Sequence, residues 1–156
     1  ANEARAAAAL PPTPMRQVAG RTHPVFRAEI ALRWSDIDAM SHVNNVVYLQ
    51  LLEEARVQFL RALHAAGSPP VQLVVGRNEV DYLRPLHYDT KPVAVNVWVE
   101  RIGRASFTAA YEMLSPDDLL VAQAKTVVVA VNEQGTGSEP LPQTTRLLLQ
   151  RYLWTG

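Results

Sequence analysis

Cysteine is absent from the 156 residues, and with it go thiolate nucleophiles, cysteine-based zinc sites and disulfides. Such a chain suits a reducing cytoplasm, where this one is expected to act. Net charge is missing too. Fifteen basic residues cancel fifteen acidic ones, so no overall field draws the chain to nucleic acid or to an anionic membrane. No apolar run approaches the ~18–20 residues that a bilayer crossing needs. The alanine-rich start, Ala1 to Ala9, carries Glu3 and Arg5 and is too short for a secretory signal core. What remains is a length that fits one domain and a hydrophobic content of 48%, ordinary for a globular core.

Residues 1–22 hold Pro11, Pro12 and Pro14 and show no strand period, so they read as a flexible or surface-laid arm. A single domain is expected over 23–156. Its first strand is predicted over 25–34, where polar and apolar residues partly alternate. A long helix follows. Val46, Leu49, Leu52, Val57, Phe59, Leu60 and Leu63 are expected on its apolar face. Asn44 or Asn45 would cap it, and Gly67 with Pro69-Pro70 would stop it. Strands are then predicted over 71–83, 92–102, 105–114 and 119–131, all rich in valine, threonine and aromatics. Tight turns at Ile102-Gly103-Arg104 and Ser115-Pro116-Asp117-Asp118 make the last three an antiparallel meander, and 144–152 ends the chain as a short helix. The fold class is α+β: a sheet of about five antiparallel strands against one long helix.

Chemistry concentrates where the first strand gives way to the helix. Two carboxylates, a histidine and two asparagines fall within ten positions from Asp36 to Asn45. Helix capping explains one short polar side chain but not several. A calcium loop fails, since Met40, Ser41 and Val47 occupy its ligand, glycine and glutamate positions. No metal and no cofactor are expected. A Ser-His-Asp triad built on Ser35 or Ser41 with His42 lacks the nucleophile elbow. An aspartate facing a helix N-terminus, in contrast, stays ionised, and the same N–H donors can polarise a carbonyl. That pairing suits a thioester. Its leaving thiol has a pKa around 8.5, so a dedicated general acid is dispensable. Asp38 is then the working carboxylate, as nucleophile or as general base.

The run Asp36-x-Asp38-x-x-x-His42-Val43-Asn44-Asn45-x-x-Tyr48, continuing to Glu53-Glu54-Ala55-Arg56, resembles the hotdog-fold acyl-CoA thioesterases of the 4-hydroxybenzoyl-CoA thioesterase type. The resemblance covers roughly residues 24–135, including the hairpin at Arg101–Phe107. It implies a hotdog fold and hydrolysis of an acyl or aroyl thioester to a carboxylic acid and free coenzyme A. It also implies that Asp38 is catalytic and that the Asn45 backbone N–H polarises the carbonyl, with His42 in support. Asp36, Asn44 and Tyr48 are expected near substrate. Some hotdog thioesterases carry the carboxylate on the helix, which makes Glu54 the backup. Arg101 and Arg104 flank a turn, where guanidinium groups could grip the phosphates of coenzyme A. The stretch Arg84-Pro85-Leu86-His87-Tyr88-Asp89 ends a strand and is expected at a pocket rim, whereas His23, His64 and His87 read as isolated. Where the family often has glycine before the histidine, this chain has Ser41, a departure that matters if the position takes a positive φ.

The resemblance further implies a two-fold homodimer with active sites at the subunit interface, a unit that often pairs again into a tetramer. An acyl carrier protein thioester is a substrate variant of the same reaction. Two other classes compete: a hotdog module that binds acyl thioesters without turning them over, and a hotdog enoyl-thioester hydratase or dehydratase using His42 as its base.

Overall fold

Hydrophobic periodicity and turn chemistry translate directly into the element order of the computed structural model, which describes residues 15–18 and 21–155. Strands β1 (Met15–Val18) and β2 (Arg21–Pro24) pair as a two-stranded antiparallel ribbon. Pairing there departs from the strand-free arm expected of this stretch. Residues 1–14 and 19–20 of that arm lie outside the described residues. Strand β3 (Phe26–Ile30) comes next, followed by the long helix α1 (Asn45–Ala65). Strands β4 (Gln72–Tyr82), β5 (Val93–Ile102), β6 (Ser106–Leu114) and β7 (Leu120–Val131) precede the terminal helix α2 (Gln143–Gln150).

Five strands form one antiparallel sheet in the order β3-β5-β6-β7-β4. This is the α+β hotdog arrangement, a long helix laid on one sheet. The meander β5-β6-β7 follows from its turns. Gly103 N–H donates to Ser106 O at 2.7 Å, and Asp118, at φ 66, closes the next turn with its N–H on Ser115 O. Strand β3 is shorter than the ten residues expected. Residues 34–36 coil into a 3-10 turn instead, stabilised because the Asp36 carboxylate accepts from Arg33 N–H at 2.8 Å and from Arg33 Nη2 at 3.2 Å.

Helix α1 buries Tyr48, Leu51, Leu52, Ala55, Phe59 and Leu63 against the core face of the sheet. The spacing is helical, but the face is rotated from the one expected. Val46 is 63% exposed and Leu49 38%, while Leu51 and Ala55 turn inward. Apolar residues surround much of this helix, so periodicity alone leaves its orientation open. Ala55, fully buried, lets the helix approach the sheet closely. No helix among the described residues is long and apolar enough to cross a membrane.

Candidate active site

The residues between Ile37 and Val43 close on themselves. Those two pair in a single antiparallel bridge, and Asp38 N–H donates to His42 O at 2.8 Å. Asp38 Oδ1 accepts from Met40 N–H at 2.9 Å and from His42 N–H at 3.2 Å, the turn-forming habit of a short carboxylate side chain. Oδ2 takes no hydrogen bond from the described residues. One oxygen of Asp38 thus builds the loop and the other stays unbonded among the described residues.

Ser41 sits at the tip of this loop with φ 62. The position does take the left-handed conformation in which glycine is at home, and serine adopts it here without opening the loop. Ser41 N–H still donates to Asp38 O at 3.1 Å.

Asn44 caps α1, its Oδ1 accepting from Val46 N–H at 3.0 Å. Its own N–H donates to Asp36 O, and Val43 N–H donates to Leu86 O at 2.7 Å, which ties the motif to the segment after β4. Val47 N–H goes to Asn44 O. Asn45 N–H has no acceptor among the described residues, as expected of a donor in the first helical turn. It lies at the positive end of the helix dipole, where an anion or oxyanion is favoured.

Asp38, His42, Asn44, Asn45 and Tyr48 come together on one cavity of about 400 Å³, closed on its other side by Tyr82, Leu83, Arg84 and Pro85. Tyr48 is 2% exposed and donates its hydroxyl to Arg84 O at 3.3 Å. Burial pushes its phenol above the ordinary tyrosine range, outweighing a neighbouring backbone hydrogen bond, so it serves as a neutral wall. Arg84 and Pro85 belong to the stretch that the sequence places at a pocket rim. Tyr82 does not. It packs edge-to-face on Tyr48 at 5.1 Å and donates its hydroxyl to Asn45 O at 3.3 Å. In the sequence it is one more aromatic in a strand, and no local signal marks it.

Asp36, expected near substrate, is turned away from this cavity. It is 5% exposed and its carboxylate is held by Arg33, so it shapes the entry to the motif. Glu54, the backup carboxylate, lies nine residues beyond Asn45, about 14 Å along the helix axis. It is exposed and accepts a hydrogen bond from Gln58. Arg101 and Arg104 are also remote within one chain. Tyr82 shares a cross-sheet row with Ala122, Met113 and Val95, and Arg101 is six residues further along β5, about 20 Å away. No group of three or more potential metal-binding side chains occurs among the described residues.

The chain matches the thioesterase-like superfamily over residues 32–149. Among solved structures, a thioesterase from Thermus thermophilus complexed with coenzyme A and Zn is 31% identical, with 82% of this chain and 91% of that one covered at a TM-score of 0.66. A protein from Bacillus stearothermophilus, designated a thioesterase by prediction, is 28% identical, with 85% and 98% covered at a TM-score of 0.75. A Xanthomonas campestris protein provisionally named an acyl-CoA thioesterase is 32% identical, with 74% and 99% covered at a TM-score of 0.61. No curated protein matches.

Proposed function

This chain belongs to the thioesterase-like superfamily, and on that premise we propose that it hydrolyses acyl-coenzyme A thioesters with Asp38 as the reacting carboxylate. One observation carries the reading. The free oxygen of Asp38 and the unpaired N–H of Asn45 belong to residues lining the same cavity at the start of α1. A thioester carbonyl accepting from Asn45 N–H would gain negative charge where the helix dipole favours it. Asp38 Oδ2 could attack the carbonyl carbon, expelling the thiolate and leaving a mixed anhydride for water to open. Equally, it could take a proton from water as that water attacks. Both routes end in carboxylic acid and free coenzyme A, and neither needs an acid for the departing thiol.

The order of motif residues from Asp36 to Tyr48 supports the 4-hydroxybenzoyl-CoA thioesterase type within the superfamily. Coenzyme A in the Thermus thermophilus relative supports an acyl-CoA substrate over a carrier-protein one. The cysteine-free sequence suits the cytoplasm, where we place the reaction.

We also place the enzyme in a two-fold dimer paired through β4. This strand is an 11-residue edge with β7 as its only neighbour among the described residues, and Val74 and Val75 are each 44% exposed. Val46, Leu49, Tyr82 and Leu83 are exposed as well, and Tyr82 and Leu83 line the cavity. An uncovered edge of this length invites strand pairing. In such a dimer Arg101 and Arg104 act on substrate only if the partner brings its copies to this cavity.

Thiol release from a panel of acyl-CoAs tests the chemistry. Asp38→Asn keeps an oxygen to accept from Met40 and His42, so the loop survives while the carboxylate is lost. Turnover should fall by about 100-fold or more. Undiminished turnover in the variant would overturn the assignment, and thioester binding without turnover in the wild type would point to the binding module. His42 on the cavity wall keeps the hydratase reading distinct, and hydration of an enoyl-CoA without thiol release would establish it.

A further inference from the structure

Two loops meet beside the Asp38 cavity, the motif loop before α1 and the segment that follows β4. Their backbones are joined where Val43 N–H donates to Leu86 O at 2.7 Å. Next to that bond, consecutive side chains of the second loop each hold one end of the first. His87 packs edge-to-face on His42, ring centroids 4.9 Å apart at 71°. Tyr88 packs the same way on Trp34, at 5.3 Å and 81°.

We infer that His87 is a positioning residue that acts through His42, holding its imidazole on the cavity wall in the orientation in which it supports hydrolysis at Asp38. The inference rests on the function proposed above. The His42 backbone is fixed on both sides, its N–H on Asp38 Oδ1 and its carbonyl accepting from Asp38 N–H. Only the side-chain torsions remain free. The His42 ring is half-buried and takes no hydrogen bond from the described residues, whereas a working imidazole is ordinarily oriented by a third group. Here the ring contact with His87 supplies that restraint, selecting one orientation through edge-to-face geometry. His87 is itself presented by a rigid stretch, since Pro85 limits the backbone and Leu86 is 1% exposed in the core. Because the Tyr88–Trp34 contact and the Val43–Leu86 bond hold the loops together independently, exposed His87 can be changed without unfolding the site.

The experiment compares steady-state kinetics of thiol release for wild type, His87→Ala, His87→Phe, His42→Ala and the His42→Ala/His87→Ala double variant. His87→Ala should lower kcat several-fold with KM little changed, and His87→Phe, which keeps a ring edge, should restore most of it. In the His42→Ala background His87→Ala should cost nothing further, because coupled residues are not additive. The His42 ring C–H resonances, assigned by their loss in His42→Ala, should shift in His87→Ala, where the neighbouring ring current is gone. Losses that multiply in the double variant, or an unchanged kcat in His87→Ala, overturn this inference while leaving Asp38 chemistry intact. Absence of thiol release from the wild type overturns both.

Discussion

Ser41 holds a conformation that costs an L-residue about 1–2 kcal/mol relative to glycine, offset in part by the roughly 0.5–1 kcal/mol by which glycine loosens the unfolded chain. Ser41→Gly should therefore leave the melting temperature equal to wild type or slightly above it. Ser41→Val, with a branched Cβ in the left-handed region, should lose about 1–2 kcal/mol, a fall of several degrees for a chain of this size. Thermal melts of the three proteins decide the matter, and a valine variant as stable as wild type would mean that the loop does not need its positive φ. The same residue scale separates the two aspartates. Asp36 is consumed by Arg33, whereas Asp38 keeps one oxygen outside its own turn.

Helix α1 does two jobs that share one residue. Asn44 closes the motif loop and begins the helix, and its cap holds Val46 N–H on its own Oδ1 while Asn45 N–H has no acceptor among the described residues. Asn44→Ala should cost about 1 kcal/mol through the lost cap. Turnover should fall as well, since the donor at the helix start is no longer held in place. Asn44→Asp, which keeps a capping oxygen, should recover the stability. A melt beside a thiol-release assay reads both, and full turnover in the alanine variant would show that the helix start needs no cap to work. Helix α1 also shows how burial is chosen. Leu49 and Leu51 are chemically alike and two residues apart, yet Leu49 is 38% exposed and Leu51 5%. What separates them is which side the sheet occupies.

At the scale of the whole molecule the uncovered β4 edge dominates. Val75→Lys, a charge on the exposed edge, should convert the proposed dimer to monomer in sedimentation and reduce thiol release with it. A variant that stays dimeric would place the interface elsewhere. The element order was legible in the sequence because strand alternation, helical spacing and turn residues are local properties, and each expected strand after α1 lies within one or two residues of its observed ends. That Asp38, His42, Asn44, Asn45 and Tyr48 share one cavity was legible for the same reason, the five being close along the chain. Other features were decided only by tertiary structure, since they depend on residues far apart in sequence. Tyr82 reaches Asn45 across 37 positions, His87 reaches His42 from the far side of β4, and Arg101 is carried down the sheet away from the cavity. The sequence by itself determined which elements form and where the polar motif with its two aspartates lies. Packing of α1 on the sheet decided which of its faces is buried and which distant residues close the cavity, because burial free energy depends on contacts that no local pattern encodes.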